Sequence, residues 1–205
     1  LFAQSSWHLA NLDNVDVVKL LSRVIMDLAE GEIKQNLNRY DSGQTFSKYI
    51  NKSYCKTASL IANSCKAAGV LSDINSDKLD MLYEFGKNIG LAFQVVDDIL
   101  DFTGNDKQLG KPAVSDLASG YLTAPVLYAL EENKNLSVLI DRELAEKDDL
   151  NNALEIIMSS GAIKKSRIMA EDFATHSKDA ILWLPESQYK RALMALPEFV
   201  LSRLY

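Results

Sequence analysis

The sequence is poor in the residues that build several common kinds of site. It holds 2 histidines, His8 and His176, and 2 cysteines, Cys55 and Cys65. No serine or cysteine nucleophile motif lies beside either histidine, which argues against Ser–His and Cys–His catalysis. No zinc spacing and no glycine-rich nucleotide loop occur. The two cysteines fall on one predicted helix, too far apart to bridge, and are expected as reduced core thiols. No apolar run approaches the roughly 20 residues that span a bilayer, so no transmembrane helix is expected. A basic excess is also lacking: Lys+Arg total 22 against 28 Asp+Glu, a net charge of −6. This argues against a nucleic-acid binder. The opening, Leu1 to Trp7, has no basic segment followed by an apolar run and does not read as a signal peptide. It also has no capping signal before it, so the chain is expected to open inside a helix, as a portion of a longer protein.

Strand patterns of period two, internal repeats and linkers are absent as well. Only 4 prolines interrupt 205 residues, of which 47% are hydrophobic and 24% charged. What is present is helix after helix, so the expected fold is one all-α domain over residues 1–205. A first helix runs to Asn11. Asp13 or Asn14 caps a second from about Val15 to Tyr40, with Val17, Leu20, Leu21, Val24, Leu28 and Leu37 as its apolar stripe and Gly31 as an interruption. Asp41-Ser42-Gly43 reads as a turn. Thr45 or Ser47 opens a third helix of about 25 residues that ends between Gly69 and Asp73. Ser76-Asp77 caps a fourth, stopped by Thr103 to Asp106, and a turn-rich loop extends to Gly120. Shorter helices follow at about Thr123–Glu132, Asn135–Glu143, Asp148–Ser160 and Ala162–Leu184. After Pro185 a last helix runs to about Arg203.

The fourth helix carries the most informative stretch. Phe85, Ile89, Ala92, Phe93 and Val96 recur at helical spacing, and then Asp97, Asp98 and Asp101 enter an apolar run. Residues four apart on a helix point nearly the same way, so Asp97 and Asp101 share an edge that Asp98 flanks. Three carboxylates there repel one another and resist desolvation unless a cation neutralises them. A hard divalent ion with a phosphate-bearing substrate is one answer; solvent exposure or salt bridges are the other. Lys56 lies among small and apolar residues, with the hydroxyl of Thr57 beside it. It either faces the aspartates or sits on the outer surface with Lys52. Lys107 and Lys111 follow the aspartates in a glycine-containing loop, which suits a polyphosphate as well as an ordinary solvated loop. Gln94 is a polar group on an apolar face and needs a partner; it and Phe93 also read as packing residues.

Gln94 to Phe102, followed by Gly110-Lys111-Pro112-Ala113 and Ser115-Asp116-Leu117, resembles the second aspartate-rich region of the all-trans polyprenyl diphosphate synthases. Gly31-Glu32-Ile33-Lys34-Gln35 resembles the GE-x-x-Q element of that family. Tyr54-Cys55-Lys56-Thr57-Ala58 resembles its Y-x-x-KTA element, and Leu184-Pro185 with Phe199 to Arg203 its ending. The opening LFAQSSWHLANL and the TAPVLYAL run most resemble long-chain, solanesyl-type members of cyanobacteria and plastids.

The resemblance implies a helical bundle of the isoprenoid synthase type around a central cavity. It also implies an Mg²⁺-dependent prenyltransferase, with Mn²⁺ as an alternative ion, that condenses isopentenyl diphosphate with an allylic prenyl diphosphate to extend an all-trans chain. By position, Asp97 and Asp101 are carried over as direct metal ligands, with Asp98 beside them. Lys56 and Lys111 contact the allylic diphosphate. Thr57 and Gln94 place oxygens near the developing cation, Phe93 stacks close to it, and Gln35 lines the site. A homodimer is implied, in a bacterial cytosol or plastid stroma, with at most peripheral membrane contact for product release. Two departures stand out. Tyr121 occupies the position, five residues after Asp116, where many members have lysine. The first aspartate-rich motif and the segments that bind isopentenyl diphosphate are not in these 205 residues, so this chain alone is expected to be inactive and to hold metal weakly without substrate. Alternatives are a non-catalytic subunit of a heteromeric synthase, a short-chain (geranylgeranyl) synthase, another class I terpenoid enzyme, or a purely structural bundle.

Overall fold

A computed structural model describes residues 2–104 and 114–205. Every regular element among the described residues is helical. Helix α1 spans Phe2–Ala10 and α2 Val15–Leu37. Asn14 opens α2: its side-chain oxygen accepts from the backbone N–H groups of Asp16 and Val17, satisfying two donors that a helix start leaves orphaned. Helix α2 stops at Leu37 rather than Tyr40, where the backbone turns left-handed at φ 52°.

Gly31 does not interrupt α2. The helix runs through it, and the missing side chain lets α2 approach Cys55, whose Cβ would lie 3.0 Å from a Cβ at position 31. The expected stripe also needs correction: Val17 is buried, but Leu28 and Leu37 are exposed, and the buried side chain near the centre of the helix is Asp27.

Thr45 caps the third segment through Lys48 N–H. This segment is continuous but not uniform. Helix α3 (Phe46–Ser53) passes through a π-helical turn at Tyr54–Ala58 into α4, Ser59–Leu71. The long helix α5 covers Ser76–Thr103 and is capped by Asn75, one residue before the expected pair, through Lys78 N–H. A short helix absent from the sequence reading, α6 (Ser115–Ala118), precedes α7 (Ala124–Glu132), α8 (Lys134–Asp141) and α9 (Asp149–Ser159). Helix α10 spans Ala162–Asp179, shorter than expected because turns occupy 180–184, and α11 spans Gln188–Ser202.

Helix α5 is central. One side packs on α4 and the π turn, the other on α10 and α11. The first pair is antiparallel, since Gly90 meets Ala58 and Gly86 meets Ile61 and Ala62. Helix α2 packs antiparallel on the outer side of α4, with Asp27 near Ser59 and Gly31 near Cys55. Val95, Val96 and Ile99 on α5 are fully buried, as are Leu117, Val126, Ile140, Ile157 and Ile181 from the elements that follow. Each such aliphatic side chain contributes about 1.5–3 kcal/mol. These contacts fix the α5 edge that carries the aspartates.

Candidate functional site

The antiparallel contact of α5 with α3 and the π turn brings the polar side chains into register. Thr57 Oγ1 donates to Gln94 Oε1 at 2.7 Å, and Gln94 Nε2 donates to Asp98 Oδ1 at 2.8 Å. The phenol of Tyr49 donates to the other carboxylate oxygen of Asp98 at 2.6 Å. Gln94 thus has both a donor and an acceptor partner, and its side-chain amide is fixed in one orientation. The π turn holds Lys56 and Thr57 at the level of Gln94; single π turns within α-helices recur at functional sites.

Asp98 is 2% exposed. Burial pushes its carboxyl up to about 6, against the opposing pull of the Tyr49 hydrogen bond, the Lys52 ammonium and the Gln94 amide; the nearby Asp116 adds to the rise. Burial also pushes the Lys52 ammonium below its ordinary value, opposed by Asp98. The Tyr49 phenol is driven well up by burial and by Asp98, so it remains a donor.

Asp97 is half-buried and pairs with Arg203, whose guanidinium nitrogen lies 2.7 Å from its Oδ1. The same guanidinium covers the ring of Phe93 at 4.7 Å. Lys56 donates to Gln35 at 3.0 Å and lies 3.4 Å from Glu32. A cavity of about 850 Å³ is lined by Lys56, Gln94, Asp97 and Asp98, together with Asp116 and Arg203. A narrower cavity of about 140 Å³ adjoins these groups and includes Gln35.

Asp101 has a different setting. It is fully buried, and its carboxylate accepts from Ser115 Oγ and the backbone N–H of Asp116, both at 3.2 Å. It ties the chain's return to α5 and presents Asp116 to the cavity. Among the described residues, no group of three His, Cys, Asp or Glu side chains is arranged to hold a metal alone. Lys107 and Lys111, with the Gly110-Lys111-Pro112-Ala113 element, lie outside the described residues.

Sequence reasoning did not single out Tyr49, Lys52 or Arg203 for the site. Asp116 stands out in the sequence only as part of the Ser115-Asp116-Leu117 motif. Their positions depend on tertiary packing; the one local signal was the polar Gln94, which required a partner.

No helix is long and apolar enough to cross a membrane, among the described residues. The polyprenyl synthetase family model matches residues 1–157. A prenyl transferase of Synechocystis is 55% identical over all 205 residues, which make up 64% of its length. The chloroplastic solanesyl-diphosphate synthase 2 of rice is 46% identical over 204 residues, with the whole of this chain aligned to 51% of that protein. A crystal structure of a Caulobacter crescentus polyprenyl synthase, complexed with calcium and isoprenyl diphosphate, superposes with a TM-score of 0.90 at 30% identity, covering 100% of this chain and 64% of that one. The chain therefore spans about two thirds or less of these relatives. The match over most of its length, with the same fold, places it in the polyprenyl synthetase family.

Proposed function

We propose that the protein to which this chain belongs is a prenyltransferase that adds isopentenyl diphosphate to an allylic prenyl diphosphate. Its product is a long all-trans polyprenyl diphosphate of the solanesyl type, a precursor of quinone side chains. The observation that carries this reading is the hydrogen-bonded series Thr57–Gln94–Asp98–Tyr49, whose Gln94 and Asp98 line one cavity together with Lys56 and Asp97. A diphosphate leaves only when its charge is balanced, and a carbocation survives only near fixed oxygens and away from water.

The donor set fits a hard divalent ion. The carboxylates of Asp97, Asp98 and Asp116 supply oxygen only, and Asp97 already draws a guanidinium to it. Asp97 and Asp98 would hold Mg²⁺, or Mn²⁺, together with the diphosphate; Asp101 orders the segment that brings Asp116. Bound there, the ion would neutralise the leaving diphosphate. Lys56 and Lys111 donate to diphosphate oxygens.

The allylic C–O bond breaks with its electron pair leaving on the diphosphate. The alkene carbon of isopentenyl diphosphate forms the new C–C bond, and a proton is lost to restore the double bond. The carbonyl oxygen of Gln94 and the oxygen of Thr57 face the developing cation, and the ring of Phe93 lies one helical turn before Asp97. A homodimer, and a plastid stroma or bacterial cytosol as its compartment, accord with this reading.

The test is turnover of labelled isopentenyl diphosphate by the full-length protein with Mg²⁺. Long prenyl diphosphates are expected, and Asp97→Ala should slow their formation by orders of magnitude. Near-normal turnover of that variant would overturn the reading.

A further inference from the structure

Lys52 lies one helical turn before Lys56, on α3. It is half-buried, and its ammonium sits 5.4 Å from the centre of the Tyr49 ring. It lines the 140 Å³ cavity that also receives Gln94, Asp98, Asp116, Tyr121 and Thr123. The other lysines nearby are committed: Lys56 to Gln35 and Glu32, Lys34 to Glu30, and Lys48 to Asp41. Among the described residues, no carboxylate lies within 4.0 Å of the Lys52 ammonium. Withdrawing an ammonium from water without a direct partner is costly, so this one is poised for an acceptor that the described residues do not supply.

A second group in the same cavity has the same need. Thr123 is 3% exposed, and its hydroxyl has no hydrogen-bond partner among the described residues. Thr123 stands at the start of α7 without donating or accepting a capping bond through its side chain. An ammonium and a hydroxyl from separate elements, neither given a hydrogen-bond acceptor by the described residues and both lining one small cavity, call for a ligand with several acceptor oxygens. The cavity is too narrow for a prenyl chain beside its polar walls, but a phosphoryl group suits it. Asp98 and Asp116 would repel a bare anion. An anion that arrives with divalent ions meets those carboxylates through its ions and leaves its own oxygens for Lys52.

We propose that Lys52, assisted by Thr123, is a diphosphate-binding residue of this site. The ammonium donates to one phosphoryl group from α3, in addition to the contact made by Lys56. The assignment rests on the prenyltransferase reading. It also accounts for Tyr121, an uncharged residue on the same cavity, since Lys52 brings the positive charge into that space from another element.

The experiment is binding of inorganic diphosphate to the full-length protein in excess Mg²⁺, followed by calorimetry. Lys52→Met should weaken binding 10- to 100-fold, Lys52→Arg only a few-fold, and Thr123→Val about 5-fold. The double variant Lys52→Met/Tyr121→Lys should recover most of the lost affinity, because the new lysine enters the same cavity. Wild-type affinity in a folded Lys52→Met protein would overturn the inference. If that variant does not fold, unchanged affinity in Thr123→Val and Lys52→Gln would do so. Should Asp97→Ala abolish turnover while Lys52→Met binds diphosphate normally, the role of Lys52 falls and the prenyltransferase reading stands. If the wild type neither binds diphosphate nor turns over, both fall.

Discussion

Asp98 is a carboxylate held out of water by its neighbours, and its protonation is therefore tied to folding. Its folded value of about 6 lies above that of an unfolded aspartate, near 4. Between those two pH values the native chain binds more protons than the unfolded chain at this position. The contribution of Asp98 to stability is thus most favourable below pH 4 and declines as pH rises to about 6. A shift of this size corresponds to about 2–3 kcal/mol. Asp98→Asn keeps the shape and cannot ionise, so it should lack this decline. Measured by denaturant unfolding without divalent ions, the stability of wild type relative to the variant should fall by about 2–3 kcal/mol from pH 4 to pH 6. A difference that does not change with pH would refute the assignment. The acidic residues themselves were legible in the sequence, because the 3.6-residue period put them on one helix edge. Their unequal settings were not. Asp97 meets Arg203, Asp98 meets Tyr49, and Asp101 meets Ser115 through contacts between 14 and 106 residues apart in the chain, which no local pattern encodes.

At the scale of elements, the site depends on how closely α5 can approach the π turn. A Cβ at Gly90 would lie 2.6 Å from Ala58 Cα, a backbone contact that cannot yield without moving a helix. Gly90→Val should therefore cost about 1–3 kcal/mol or more, despite the better helix propensity of valine, and should disturb the Thr57–Gln94 bond next to it. Gly43→Val is the matched control, since Gly43 is exposed and a Cβ there meets only the end of the half-buried Asp41 side chain, at 3.2 Å. Thermal unfolding should show a clear drop for the first and a change within about 0.5 kcal/mol for the second. Equal effects would show that helix approach is not limiting. Most helices were legible because their apolar spacing and caps are local signals, as Asn14 and Thr45 illustrate. The π turn was not: Tyr54 to Ala58 reads as ordinary helix, and only packing against α2 and α5 makes the extra residue favourable. Gly31 was misread for the same reason, since its use is contact with Cys55 rather than a break.

On the whole molecule, polar and apolar surfaces are unevenly distributed. Val15, Met26, Ile33 and Leu37 advance along α2 at nearly one helical angle, and each is at least 62% exposed. Trp7 on α1 is 63% exposed as well. The sequence pattern assigned part of this helix to the core because spacing reveals an apolar face but not what covers it. Here the face turned toward α4 is narrower and includes the buried Asp27, which accepts from Arg23 and Ser59. A row of exposed apolar side chains along one helix of a monomer favours association. The 205-residue chain should therefore sediment as a concentration-dependent oligomer at tens of micromolar. The pair Ile33→Lys and Leu37→Glu should shift it toward monomer without loss of helical circular dichroism. Neither residue touches the aspartates, so a loss of association would report on the stripe and not on the site. A wild-type chain that stays monomeric over that range would mean the stripe is tolerated in water.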